Sequence, residues 1–190
     1  AALSLAAAFA AAGCRGHDAR STSPYSASEP ARRDTQRARE LYAEALDAWP
    51  DDAAQTERLL REALSADLYH GPAHNNLGVL LLARGELYAA AEEFEWAKRL
   101  MPGHPDPRVN LAMTLERAGR TDDALANYDS ALAAFDNYLP ALMGKARLQV
   151  RAGRAGPDTL AALDEIALRG DEEWRTWAQV WRAKLGQGRP

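Results

Sequence analysis

The chain has 190 residues, enough for one compact domain or a short solenoid, with 26% charged residues and a formal net charge of −4. That balance excludes the basic stripe of a typical nucleic-acid binder. Alanine, leucine, arginine and glutamate dominate and strand-like alternation is lacking, so the folded part reads as all helical. The single cysteine, Cys14, excludes an internal disulfide and a cysteine-based metal cluster.

Residues 1–13, AALSLAAAFAAAG, carry no charge. As a helix they span about 20 Å, short of a hydrocarbon core of roughly 30 Å. Their length fits the apolar region of a secretory signal better than a membrane span. They run into Ala11-Ala12-Gly13-Cys14, which resembles the lipobox of bacterial lipoproteins. The resemblance implies that Cys14 is lipidated and becomes the first mature residue. Ala11 stands where that family favours leucine. The sequence begins at Ala1 without an initiator methionine, so a longer leader is expected. Two other readings stay open: a membrane anchor whose start is missing, or a plain secretory signal that leaves Cys14 incidental. Residues 1–14 are therefore read as a signal and lipobox segment. The implied location is the bacterial cell envelope, lipid-anchored, with Arg15 after the cysteine favouring the outer membrane; without lipidation it is secreted or periplasmic.

Residues 15–33 hold four serines, one threonine and two prolines with little apolar content. Such a segment buries too little surface to offset its ordering entropy and is expected to be a disordered tether reaching about 25 Å.

From Asp34 the helical pattern is continuous to residue 170. Helix pairs are expected near 34–49 with 52–67, 72–84 with 87–100, 106–118 with 122–135, and 139–152 with 157–168. Asp52 is placed to cap, Thr121-Asp122 and Pro157-Asp158 to open second helices, and Gly85, Gly119 and Gly153 to close first helices in the left-handed region. The pattern half-repeats every 34 residues: Leu77 falls on Leu111, Gly78 on Ala112 and Ala146, Ala90 on Ala124, Phe94 on Tyr128, and Ala97 on Ala131. A fixed period of this size marks stacked helix–turn–helix units. The first unit is degenerate, with Asp51 where glycine and Thr56 where alanine are expected. The fourth carries about two extra residues near Ala155–Pro157. The spacing of Leu-Gly, Gly, Ala, Phe, Ala and Pro within 73–102 resembles the tetratricopeptide repeat family. The resemblance implies a right-handed α-solenoid of about three to four helix pairs, with a capping helix in 171–190.

That last helix, expected over 171–185, aligns Trp174, Trp177, Ala178, Trp181 and Leu185 on one stripe. It reads as a cap over the open end of the array; the alternative is an aromatic surface for a partner helix or a glycan.

In the repeat family the first helices line a concave groove that binds extended peptides or partner helices. Residues of this chain at the equivalent positions are Asn75, Val79, Leu82, Val109, Met113, Glu116, Arg117, Met143, Arg147 and Arg151. They form a mostly apolar lining, with methionines as an adaptable surface. Arg147 and Arg151 lie one turn apart, placed to engage one carboxylate or phosphate. The Lys/Asn set of the repeats that clamp chaperone carboxy termini is missing from these rows. Asn76 and Asn110 match a consensus asparagine and read as structural. His70 and His104 are equivalent by repeat, and Gly71-Pro72 breaks the helix that would align His70 with His74, so no metal is expected. Without a nucleophile elbow, phosphate loop or zinc signature, neither a cofactor nor catalysis is expected. The expected role is a non-catalytic, membrane-tethered scaffold that binds a protein or peptide, in envelope, pilus or secretion assembly; the alternative is a solenoid binding a glycan or small ligand through its tryptophan helix.

Overall fold

The computed structural model describes residues 33–187. Cys14, the signal segment and the tether apart from Arg33 lie outside the described residues. Among those residues there are nine helices and no strand: α1 Thr35–Ala48, α2 Ala53–Ala66, α3 Gly71–Arg84, α4 Leu87–Leu100, α5 Asp106–Arg117, α6 Thr121–Ala134, α7 Leu139–Arg151, α8 Pro157–Arg169 and α9 Glu172–Gln187. Each helix packs on the next one in sequence, and α3 also meets α5 as α5 meets α7. Only neighbouring units touch in this way, which is the layout of an α-solenoid.

The helix ends follow local chemistry. The Asp34 and Asp52 carboxylates accept from the backbone N–H groups of Arg37 and Gln55 at 2.9 and 2.8 Å. Each thereby satisfies an N–H that the helix leaves without a partner. Gly85 closes α3 at φ +81°, a conformation that costs a side-chain-bearing residue about 1 kcal/mol or more. In the first unit, where no such glycine exists, the turn runs through a cis Trp49–Pro50 bond to Asp52.

The core is built from the periodic residues. Ala90, Ala97, Ala124, Ala131, Phe94 and Tyr128 are fully buried. A Cβ added at Gly78 would lie 2.7 Å from the Phe94 ring, so the missing side chain is what lets α3 approach α4. Thr56, in place of a small apolar residue, is buried because its hydroxyl donates to the Asp52 carbonyl at 2.8 Å. The insertion in the fourth unit is absorbed by a polar knot. Thr159 donates to Gln149 at 2.9 Å, Gln149 donates to Asp158 at 2.9 Å, and Lys145 pairs with Asp158 at 3.0 Å.

Arg33, which the composition of its surroundings assigns to the tether, belongs to the fold instead. Its guanidinium forks onto Asp67, with Nε 2.9 Å and Nη2 3.1 Å from the two carboxylate oxygens. At the other end, Trp174, Trp177, Trp181 and Leu185 are half-buried against the cluster of Leu142, Ala146, Ala162, Leu163 and Ile166. Asp171 caps α9, accepting from the Trp174 N–H at 3.0 Å. The stripe packs against the last unit and covers the end of the array, as a capping helix does.

Candidate functional site

The first helices α1, α3, α5 and α7 stand side by side and form a wall joined by side chains one repeat apart. Asn110 donates to Asn75 at 3.0 Å, Asn75 to Asn76 at 3.3 Å, and Asn76 to the Tyr42 hydroxyl at 3.1 Å. This ladder ties α1, α3 and α5 together. Asn76 and Asn110 are structural here, and Asn75, expected to line a groove, is half-buried and belongs to the same ladder.

The row of Tyr42, Asn76 and Asn110 ends at Gly144 on α7. A Cβ there would lie 2.4 Å from the Tyr128 ring, so the phenol occupies the space a side chain would fill. The 34-residue period points to Ala146 for the close approach and gives no sign of Gly144. A different signal marks it: a position that is polar in three units becomes glycine in the one whose neighbour carries tyrosine in place of phenylalanine.

The Tyr128 hydroxyl donates to Glu116 at 3.2 Å. Burial first, and then the Glu116 charge, hold this phenol protonated well above its ordinary range. Glu116 stands in a row otherwise filled by Leu82 and Val150, and its side chain is only 7% exposed. A buried carboxylate is tolerated only when paired. Arg151 forms an ion pair with Glu116 at 2.9 Å, and Arg147 donates two longer hydrogen bonds at 3.3 Å. The two arginines thus do share one carboxylate, but it belongs to the preceding unit. Arg117 makes the same backward step, its Nη1 donating to the Leu82 carbonyl at 2.6 Å, where the end of α3 leaves acceptors free.

Surface on the wall is uneven. Met113 is exposed at 39%, while Val79 and Met143 are partly so. Leu82 and Val109, expected as lining, are instead buried, at 8% and 7% exposure, and count with the core. The exposed lining therefore reduces to Val79, Met113 and Met143, followed by the exposed or half-exposed side chains of Arg117, Arg147 and Arg151.

His70 and His74 serve the fold. His70 accepts from the Ala73 N–H at 3.2 Å as the cap of α3. His74 is fully buried, with Nδ1 2.7 Å from Glu93, Nε2 2.8 Å from the Leu68 carbonyl and its ring stacked on Trp96. Among the described residues, no group of three His, Cys, Asp or Glu side chains is placed to hold a metal ion. No described helix is long and apolar enough to cross a membrane.

The profile of a family described as protein kinase G tetratricopeptide repeat matches residues 41–182. No curated protein sequence matches the chain. Three solved structures share the fold at low identity. The first tetratricopeptide repeat domain of Spaghetti (RPAP3), bound to the HSP90 peptide SRMEEVD, superposes with a TM-score of 0.60 at 13% identity, covering 64% of this chain and 97% of that one. MamA superposes at 0.62 with 15% identity, over 70% of this chain and 77% of its own. The Yersinia enterocolitica type III secretion chaperone SycD, in complex with a peptide of the translocator YopD, gives 0.56 at 14% identity, over 60% and 93%.

Proposed function

Because the chain belongs to the protein kinase G tetratricopeptide repeat family, we propose that it is a non-catalytic scaffold holding an extended stretch of another protein along its first-helix wall. The observation that carries the reading is the partly exposed strip of Val79, Met113 and Met143 along the first helices, with Met113 at 39% and Met143 also packed against the Leu142–Ile166 cluster. Flexible methionine side chains adapt to varied partner shapes. Two structural neighbours hold peptides, the HSP90 peptide in one case and the YopD segment in the other, which supports the same use of this wall. The family takes its name from a protein kinase, so a kinase polypeptide is the first partner to try.

Cys14 completes the proposal as a lipid anchor in the bacterial envelope, with the segment between it and Arg33 as the tether. Crosslinking in native membranes, followed by identification of the captured protein, tests the whole reading. Met113→Glu or Val79→Glu should abolish capture while far-ultraviolet circular dichroism stays unchanged. Capture that survives both substitutions would move the binding surface elsewhere. Cys14→Ala should shift the protein out of the membrane fraction; retention there would remove the lipid anchor from the proposal.

A further inference from the structure

The wall is polarised. In the sixteen wall positions that repeat at residues equivalent to 75, 79, 82 and 83, the first two units contribute no charge. The last two contribute Arg117, Arg147, Arg151 and Glu116, so three arginines less one glutamate leave +2 on a chain of net −4. The carboxylate lies beneath, at 7% exposure, while the Arg147 and Arg151 side chains are 42% and 60% exposed. A partner crossing this end meets guanidinium groups.

Those groups are only partly used. Charge-assisted pairs run to about 2.7–2.9 Å, and as an ion pair Arg151 reaches Glu116 within that range. Arg147 does not, since both its bonds to Glu116 are 3.3 Å, and its Nε is buried without an acceptor. The edge formed by Nε and a terminal nitrogen is the fork that grips a carboxylate with two parallel bonds. Glu116 meets Arg147 through Nη2 and leaves the buried Nε without an acceptor.

From this we infer that the Arg147–Arg151 end of the wall selects partner segments that carry Asp or Glu side chains next to apolar ones. Arg117 flanks the pair and Glu116 holds it in place. The inference rests on the peptide-binding reading of the wall and adds the partner's chemistry to it. In the bound state the half-exposed Arg147 side chain swings off Glu116, bringing its buried Nε out to fork onto the partner's carboxylate. Glu116 keeps Arg151 and the Tyr128 hydroxyl, and the partner's apolar residues lie along Met113 and Val79.

The test uses the full chain in detergent solution and two fluorescein-labelled peptides, both amidated at the carboxy terminus. One has an apolar half of Leu and Ala and an acidic half of Glu and Ser; in the other every Glu is Gln. Fluorescence anisotropy at low salt should show the Glu peptide binding about tenfold tighter or more, the range of one charge-assisted bond, with the advantage shrinking as salt rises. Arg147→Gln combined with Arg151→Gln should erase the advantage and leave the affinity for the Gln peptide in place. Glu116→Gln should raise affinity for the Glu peptide severalfold, because it frees both arginines while its amide oxygen still accepts from Tyr128. A merely structural role for the cluster predicts no such gain, and this variant decides the matter if the double arginine variant does not fold. Equal binding of the two peptides, blocked by Met113→Glu, overturns the acidic selectivity and leaves the scaffold reading standing. A Gln peptide with a free terminal carboxylate that binds as tightly as the amidated Glu peptide overturns the assignment to side chains. No binding by any of these peptides overturns both readings.

Discussion

Tyr128 and Gly144 show how much one residue position decides. The ring of Tyr128 occupies the volume a Cβ at Gly144 would need, at 2.4–2.6 Å, and a ring buried on all sides has little room to retreat. Gly144→Ala should therefore cost about 1–3 kcal/mol by chemical denaturation, the usual range for overpacking. Gly103, where an added Cβ would have no neighbour within 4 Å and where φ is not positive, serves as the control and should change stability little. Equal effects at the two sites would mean that α7 shifts freely away from α6. The Glu116 cluster belongs to the same scale and is legible in the sequence only in part. That Arg147 and Arg151 stand one turn apart is helix geometry. That Glu116 lies beneath them is not, since the contact spans one repeat and depends on how far α7 is shifted along α5.

Asp67 carries the residue-scale prediction for pH. Burial alone would raise its carboxyl, but Arg33, the Tyr69 N–H and the Thr35 hydroxyl outweigh that and hold it below the usual carboxylate range. The folded state thus binds fewer protons than the unfolded chain, whose carboxyl titrates near ~3.9. The contribution is fully present above that value and is lost as pH falls through the lower folded one. Asp67→Asn should be less stable than the parent at neutral pH and lose less stability between about pH 5 and pH 3. Parallel pH–stability curves for the two proteins would show that Asp67 is not the group responsible.

At the scale of elements, the helices are readable because their ends are set locally. Asp52 caps where the pattern predicts, and the glycine after α3 adopts the left-handed conformation expected of it. The start of the fold is not readable, because a single arginine in a Ser/Pro-rich segment gives no hint that it forks onto a carboxylate 34 residues away. The packing of α9 on α8 and the Leu163–Ile166 cluster fits a cap, and the stripe alone does not disclose it. As a cap it should behave like a terminal repeat, whose apolar face must be covered for the array to stay soluble and folded. Trp177→Ala removes most of a half-buried indole from that cover and should lower stability by about 1–3 kcal/mol, less than the roughly 3–5 kcal/mol of a fully buried one. Thermal melts check this. An unchanged melting temperature would return the tryptophan stripe to the free surfaces.

At the scale of the whole described fold, contacts run between neighbours, so stability is close to a sum of unit and interface contributions. The contributions are unequal. The α3–α6 region combines large buried rings, Phe94 and Tyr128, with partners on both sides and the asparagine ladder along its wall. The first unit has only one neighbour, and its polar links to the next include the Tyr42–Asn76 bond and the half-exposed Arg84–Glu57 pair. The last unit is covered on its far side only by the half-buried stripe of α9. Opening should therefore begin at both ends and reach the middle last, as expected when local free energies differ along a chain of coupled units. Native-state hydrogen exchange should show protection highest in α3–α6, lower in α1 and α2, and lowest in α9. Trp177→Ala should lower protection in α8 and α9 well before it affects α4. A uniform loss across all helices would mean that the array opens as one cooperative block. The wall would then be an inseparable part of a single rigid body, and a partner spanning α3 to α7 could not stabilise one end independently of the other.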